Sequence, residues 1–259
     1  MIYMNRIETC FKDKKQDILS IYFTAGFPAL NDTRRVIKAL DKSGADMIEI
    51  GMPFSDPVAD GPVIQKSSKK ALDNGMNLSL LFKQLKDLRE ITEMPVILMG
   101  YLNPVFKMGM ERFLEKCSEV GVDGLILPDF PPEEYEELYK DKFEQYGICN
   151  ILLITPQTSE NRIRKIDELS KGFVYMVSSY STTGVKDGFG DRQINYFERI
   201  QNMKLKNPSL VGFGVSTRET YSLACKYSNG AIIGTAFIKA IEKDGKLDDK
   251  VESFIKSIR

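Results

Sequence analysis

Two carboxylate side chains stand near each other in the stretch IEIGMPFSDPVADGP, which covers residues 48–62. Glu49 lies inside an apolar run, and Asp60 follows in a loop rich in proline and glycine. If the run is a strand, Glu49 shares one face with Met47 and Gly51, because side chains alternate along a strand. Burial raises the pKa of a carboxyl group, so an inward-facing Glu49 can serve as a general acid or base near neutral pH. A buried glutamate paired with a lysine or arginine is the alternative.

Asp60 is open to two interpretations. Its loop carries a second acid, Asp56, and is stiffened by Pro53, Pro57 and Pro62. Aspartate often caps a turn or a helix, so Asp60 is either such a cap or a functional carboxylate.

The chain contains no histidine, which excludes Ser-His-Asp and Cys-His catalysis and histidine-ligated metals. Acid–base chemistry therefore falls to Asp, Glu, Lys, Tyr or Cys. The cysteines are widely spaced and form no C-x-x-C pair, which predicts buried free thiols rather than a disulfide or a metal site. They are Cys10, Cys117, Cys149 and Cys225.

Two small-residue motifs suit the binding of a phosphate group. GFGVS (212–216) and GTAF (234–237) each follow an apolar run and precede a helical pattern. In α/β barrels, the loops after the seventh and eighth strands commonly bind phosphate through backbone N–H groups. We therefore expect a phosphorylated small-molecule ligand.

Eight short apolar runs separated by amphipathic helical stretches must position these residues. The runs are ILSIYF (18–23), DMIEI (46–50), PVILMG (95–100), DGLIL (123–127), CNILLI (149–154), FVYMVS (173–178), SLVGF (209–213) and GAIIG (230–234). Several helical stretches end in glycine, which predicts left-handed C-caps at Gly44, Gly121, Gly147 and Gly172.

Eight βα units predict an α/β protein, a single-domain (β/α)8 TIM barrel over residues 1–259. A doubly wound open sheet is the alternative, although no G-x-G-x-x-G follows the first strand. The connections over residues 51–94 and 179–208 are long and follow strand C-termini, where barrel active sites are built. The second contains SYSTTGVKDGFGDR, which suits either a lid or a merely flexible loop.

The overall charge excludes a broad electrostatic surface for nucleic acid or anionic lipid. Lysine plus arginine and aspartate plus glutamate both number 36, so the formal net charge is zero. The N-terminal stretch turns polar within a dozen residues and predicts neither a signal peptide nor a membrane span. A cytoplasmic protein is expected.

The motifs YFTAGFP, IEIGMPFSDPVADGPVIQ, GFGVS and GTA together resemble the tryptophan synthase α subunit family over essentially the whole chain. The resemblance implies a (β/α)8 barrel that cleaves indole-3-glycerol phosphate to indole and D-glyceraldehyde 3-phosphate without a metal or organic cofactor. It implies that Glu49 is the acid–base group, and that Asp60 hydrogen-bonds the indole N–H and stabilises developing positive charge.

The resemblance also implies the substrate contacts. The phosphate would lie on backbone around Thr183, Gly184, Gly214, Ser216, Gly234 and Thr235. The indole ring would lie among Tyr22, Met99, Tyr101, Ile126, Ile154, Tyr175 and Phe213.

The family works as an α2β2 complex in which indole passes to a β subunit that carries pyridoxal phosphate. By this resemblance, the loop with Pro53, Asp56 and Pro57 and the segment around Asn103 and Pro104 would face that subunit.

One position departs from the family pattern. An arginine of the lid motif is replaced by Ser179, although Thr183 and Gly184 match. A regulatory partner of the β subunit with weak catalysis is therefore a competing hypothesis. A sugar-phosphate isomerase or epimerase is a third, although such epimerases usually bring metal-binding histidines.

Overall fold

The computed structural model describes residues 4–178 and 189–259, in which short strands are connected mostly by one or more helices. The strands are β1 (Ile18–Thr24), β2 (Met47–Gly51), β3 (Val96–Met99), β4 (Gly124–Ile126), β5 (Cys149–Asn150), β6 (Leu153–Ile154), β7 (Val174–Val177), β8 (Ser209–Gly212) and β9 (Gly230–Ile233).

The helices follow the amphipathic stretches of the sequence. They are α1 (Arg6–Asp13), α2 (Thr33–Ser43), α3 (Pro62–Asp73), α4 (Leu78–Gln84), α5 (Leu102–Met108), α6 (Met110–Val120), α7 (Pro132–Glu134), α8 (Lys140–Gln145), α9 (Glu160–Leu169), α10 (Asp191–Met203), α11 (Arg218–Tyr227), α12 (Thr235–Glu242) and α13 (Leu247–Ile258). A 3-10 turn covers Leu88–Glu90, and a π-helical turn covers Tyr135–Tyr139. No helix within the described ranges is long and apolar enough to cross a membrane.

The strands pair in parallel in the order β5-β4-β3-β2-β1-β9-β8-β7-β6. The two end strands, β5 and β6, belong to one apolar run. Ile151 N–H donates to the Leu125 carbonyl of β4 over 2.9 Å, and Tyr175 N–H of β7 donates to the Leu152 carbonyl over 2.9 Å. One run therefore joins both ends of the sheet, which closes it into a barrel.

The predicted α/β class and (β/α)8 barrel are confirmed, and the alternative of an open sheet is wrong. The fifth run differs from the expectation of one continuous strand, because it is divided between its two neighbours as β5 and β6. The long connection over residues 51–94 contains α3, α4 and the 3-10 turn. The second long connection, over residues 179–208, includes α10, and its residues 179–188 lie outside the described part of the chain.

Three of the four predicted glycine caps are confirmed. Gly44 and Gly121 cap α2 and α6 with φ of 86° and 82°, and Gly147, with φ of 70°, directly follows the C-cap of α8. The predicted cap at Gly172 is wrong, because α9 ends at the extended C-cap Ser170 and Gly172, with φ of 83°, lies beyond it. Glycine adopts the left-handed conformation without steric cost, so α2, α6 and α8 end where the chain turns back toward the sheet.

An inner apolar layer fills the barrel, and an outer layer joins the sheet to the helices. Ile7 and Phe11 of α1 belong to the inner layer, and the Phe11 and Phe173 ring centroids lie 5.9 Å apart. Phe173 immediately precedes β7. Helix α1 therefore covers the end where strands begin and leaves the opposite end for the site, an arrangement the sequence analysis missed.

Candidate active site

Glu49 lies on β2 and is fully buried. It pairs in register with Tyr22 of β1, and Met47, on the same face of β2, belongs to the inner layer. The predicted inward face is therefore correct. Ser20 Oγ donates a hydrogen bond of 3.0 Å to Glu49 Oε1, whereas Oε2 has no hydrogen-bond partner among the described residues.

Burial raises the pKa of Glu49 to about 8, and the hydrogen bond from Ser20 opposes that rise. The alternative of an ion pair with lysine or arginine is wrong for the described residues, where the hydrogen-bond partner of Glu49 is a serine. A carboxyl group with this pKa can both give and take a proton near neutral pH, as general acid–base chemistry requires.

Asp60 lies in the loop between β2 and α3, and the N-cap of α3 is Gly61 rather than this aspartate. Burial raises the pKa of Asp60 to about 6, an effect that interaction with the Tyr101 hydroxyl opposes. The Tyr101 hydroxyl also accepts a hydrogen bond of 2.9 Å from Ala59 N–H. The loop therefore holds Asp60 beside an aromatic side chain from the segment after β3.

A small pocket brings Asp60 together with three residues that the resemblance assigned to the indole ring. Its lining consists of Tyr22, Met52, Asp60, Met99, Gly100, Tyr101 and Pro128. Tyr22 and Tyr101 are both buried, and burial raises the pKa of each, so both hydroxyls are neutral at physiological pH. The pocket offers apolar walls with one carboxylate.

Tyr175 and Phe213 lie on the other side of the barrel, with ring centroids 6.3 Å apart and nearly perpendicular planes. Tyr175 is buried, and the charges of Glu49 and Asp60 add to the effect of burial in raising its pKa. A side chain at Gly51 would overlap the Tyr22 hydroxyl, and one at Gly212 would overlap that of Tyr175. The two glycines therefore make room for tyrosines of the site.

The structure contradicts the expected place of Ile154 in the indole pocket. In the register of β6 and β7, Leu153 is opposite Tyr175 and contacts the inner layer, whereas Ile154 is opposite Met176 in the outer layer. Apart from Asn150, the run CNILLI is apolar on both faces, so its sequence does not indicate which set of side chains points inward. Ile126 and Met99 do lie in the inner layer.

The backbone of the expected phosphate loops bends sharply after β8. Phe213 and Gly214 have φ of 66° and 75°. Ser178 Oγ donates to the Phe213 carbonyl over 2.6 Å, which ties the end of β7 to this loop. Ser216 N–H already donates to Thr220 Oγ1 over 3.0 Å, so it must exchange this partner to bind a phosphate.

The second expected loop joins β9 to α12. Gly234 is the N-cap of α12, and Thr235 is its first residue. A side chain at position 234 would approach the Tyr22 ring to 3.1 Å, which places this helix start beside the pocket. Ser179, Thr183 and Gly184 lie outside the described residues.

The thiols take no part in this arrangement. All four cysteines are free thiols; Cys117, Cys149 and Cys225 are buried as predicted, whereas Cys10 is only partly buried. Within residues 4–178 and 189–259, no group of three or more acidic or thiol side chains is placed to hold a metal ion.

Ser20, Met52 and Pro128 are site residues that sequence reasoning missed. Pro128 directly follows the predicted run over residues 123–127, and Met52 directly follows β2, a position that barrel topology marks as part of the catalytic face. Ser20 carries a weaker signal, since it is the polar residue within the apolar run ILSIYF.

Sequence comparison with known proteins points to a single family. A family model described as Tryptophan synthase alpha chain matches residues 9–258. A tryptophan synthase alpha chain from Flavobacterium johnsoniae is 55% identical over 256 residues, which cover 99% of this chain and 100% of that protein. One from Bacteroides thetaiotaomicron is 50% identical and covers 93% of this chain and 94% of the relative.

Solved structures agree with the sequences. Tryptophan synthase subunit alpha from Legionella pneumophila has a TM-score of 0.88 at 33% identity and covers 98% of this chain and 97% of that chain. A chain of the tryptophan synthase complex from Pyrococcus furiosus has a TM-score of 0.84 at 34% identity, with coverages of 94% and 98%. On the full-length match in sequence and fold, the chain belongs to the tryptophan synthase alpha chain family.

Proposed function

We propose that this chain cleaves indole-3-glycerol phosphate to indole and D-glyceraldehyde 3-phosphate in the biosynthesis of tryptophan. The observation that carries the proposal is the fully buried Glu49, whose pKa is raised to about 8, in the same barrel mouth as Asp60. Membership of the tryptophan synthase alpha chain family supports the same reaction.

Glu49 moves the protons of this retro-aldol reaction. In its acid form it gives a proton to C3 of the indole ring, and as a carboxylate it removes the proton of the glycerol hydroxyl. The bond between indole C3 and the glycerol chain then breaks, its electron pair returns to the ring, and the former hydroxyl carbon becomes the aldehyde. Oε2, which has no hydrogen-bond partner among the described residues, is the atom available for both transfers.

Asp60 accepts a hydrogen bond from the indole N–H and stabilises the positive charge that forms when C3 is protonated. A carboxylate in place before the charge develops needs no reorganisation during the reaction, which is how fixed charges accelerate such steps. The indole ring lies against Tyr22, Tyr101, Tyr175 and Phe213. The phosphate lies against Thr183, Gly184, Gly214, Ser216, Gly234 and Thr235.

The proposal includes the organisation of the protein. Residues 1–259 form one domain in the cytoplasm, without a cofactor of its own. The partner is a tryptophan synthase β subunit in an α2β2 complex, and pyridoxal phosphate belongs to that subunit. The similar solved structure from Pyrococcus furiosus is of a tryptophan synthase complex, which supports this assembly.

Glu49→Gln tests the reaction. The amide keeps the size of the side chain and an oxygen that accepts from Ser20, but it cannot transfer the proton. We expect indole release from indole-3-glycerol phosphate to fall by about 100-fold or more, the usual contribution of a general acid–base group. Glu93→Gln is the matched control, since the Glu93 side chain is 79% exposed. An active Glu49→Gln enzyme would refute the mechanism.

A second assay distinguishes the proposed enzyme from a regulatory partner of the β subunit. Indole formation by the purified chain and turnover of an added β subunit are measured in parallel. An enzyme forms indole alone, and its rate falls with Glu49→Gln. A pure regulator raises β-subunit turnover without forming indole, which would overturn the proposal.

A further inference from the structure

A serine on the neighbouring strand holds the catalytic carboxylate. Ser20 of β1 pairs in register with Met47, so it lies two residue pairs below the Tyr22–Glu49 pair and on the same face of the sheet. Its hydroxyl donates to Glu49 Oε1 over 3.0 Å, and both side chains are fully buried. The pocket beside Asp60 has no contribution from Ser20.

The other groups around Glu49 do little to stabilise its charged form. Ile97, its partner in register on β3, is apolar. Tyr22 on β1 and Tyr175 on β7 are the titratable groups that interact with its charge, and both also interact with the charge of Asp60 in the loop after β2. The tyrosines are neutral, and the aspartate is of like charge.

A single donor matters greatly in such a setting. A buried carboxylate without hydrogen bonds is costly, and a hydrogen bond is stronger in the apolar interior than in water. The hydroxyl of Ser20 also fixes one oxygen of the pair, so rotation of the carboxyl group is restricted. The other oxygen, Oε2, then has a defined position inside the barrel.

We propose that Ser20 is a positioning residue of the lyase reaction: it holds Oε1 of Glu49 and thereby leaves Oε2 oriented for proton transfer. The inference rests on the proposed function for its catalytic consequence, but the hydrogen bond itself can be tested without substrate. Ser20 does not line the pocket beside Asp60, and its hydroxyl contacts Oε1 of Glu49 rather than Oε2, the oxygen proposed to transfer the proton.

Ser20→Ala is the main test. Loss of the donor destabilises the carboxylate form, so the pKa of Glu49 should rise by about one unit. Infrared difference spectra measure this pKa without substrate. The band of the protonated Glu49 carboxyl is identified by its absence in Glu49→Gln, and its intensity is then followed as the pH is changed. We expect kcat to fall about tenfold, part of the general acid–base contribution, with KM within about twofold.

Two further variants keep the test decisive. Ser20→Thr retains the hydroxyl and should restore both the titration and kcat. Ser20→Cys has nearly the size of serine but a weak donor, so it should shift the pKa in the same direction as alanine even if the alanine variant fails to fold.

Ser170→Ala is the matched control. Ser170 is also buried and hydrogen-bonded, with its hydroxyl donating to the Phe173 carbonyl over 2.7 Å at the other end of the barrel. Its loss should lower thermal stability without moving the Glu49 titration. An unchanged titration and kcat in Ser20→Ala and Ser20→Cys would overturn the inference, whereas a wild-type chain without lyase activity would overturn the proposed function instead.

Discussion

At the scale of single residues, the protein keeps an ionisable group where ionisation is unfavourable. Glu49 is fully buried and accepts its hydrogen bond from Ser20. An amide or aliphatic residue would be cheaper to bury at this position. The raised pKa that suits Glu49 to the proposed acid–base role therefore also lowers the stability of the fold.

This cost predicts how stability changes with pH. The pKa of Glu49 rises from an ordinary 4.5 to about 8 on folding. Between these values the folded chain binds a proton that the unfolded chain releases, so stability is greatest below the window and falls as pH rises through it. Above about pH 8 the full cost of the buried charge is present.

Denaturant unfolding of wild type and Glu49→Gln at pH 5 and pH 9 measures this cost. Wild type should lose more of its free energy of unfolding over this range than Glu49→Gln, at about 1.4 kcal/mol per unit of pKa shift. The Asp60 carboxyl, whose pKa is raised to about 6, is present in both proteins and cancels. Equal losses in the two proteins would contradict the burial argument.

Sequence reasoning reached Glu49 but not its partner. The alternation of side chains along a strand was enough to place Glu49 inside the barrel. Ser20 lies 29 residues earlier, and which residue of one strand meets which of the next depends on register, a property of the closed sheet. The predicted place of Ile154 was wrong for a related reason. Both residues of β6 are apolar, so the sequence does not show which of them faces inward.

At the scale of elements, Asp123 connects four segments at the end of the barrel where strands begin. It is nearly fully buried and accepts from Val96 N–H over 2.8 Å, from Arg6 of α1 over 3.3 Å, and from Arg89. Burial raises the pKa of Asp123, and the charge of Arg89 opposes that rise. The carboxylate therefore aligns β3 and β4 with α1 and the 3-10 turn.

Asp123→Ala should lower the free energy of unfolding by about 3 kcal/mol, because two arginines and a backbone N–H lose a buried partner. Chemical denaturation measures the change. Glu93→Ala is the control, since this exposed residue shares Arg6 as a partner and should cost less than about 1 kcal/mol. Similar effects of the two changes would argue against the role of Asp123.

Element boundaries followed largely from the sequence, because glycine C-caps and apolar periods are local signals. The covering of one barrel end by α1 did not, since eight residues with an apolar face give no indication of what they pack against. The loops expected to bind phosphate are an intermediate case. Their place after β8 and β9 is predictable, whereas the hydrogen bond from Ser216 to Thr220 is visible only in three dimensions.

At the scale of the whole molecule, the last helix completes the outer layer. Helix α13 buries Leu247, Val251, Phe254, Ile255 and Ile258. The rings of Phe254 and Phe237 of α12 are 5.3 Å apart and steeply inclined. Beyond the helix, Arg259 donates to Asp46, which immediately precedes β2.

A chain that stops at residue 246 should therefore fail to fold cooperatively. Each buried apolar side chain contributes about 1.5–3 kcal/mol, and five of them approach the whole stability of a typical domain. Far-UV circular dichroism during heating should show no sharp transition. Arg259→Gln, which removes only the final ion pair, should melt like wild type. A cooperative transition in the truncated chain would show that α13 is dispensable.

The closure of the sheet through residues 149–154 also limits how other chains can attach. An open sheet presents unpaired N–H and C=O groups at its rims, which can recruit a foreign strand or start edge-to-edge aggregation. Here both rims are occupied by the same six residues, with Ile151 bound to one side and Leu152 to the other. Within the described residues, a docking protein must therefore recognise side chains of loops and helices, because strand addition has no place to begin.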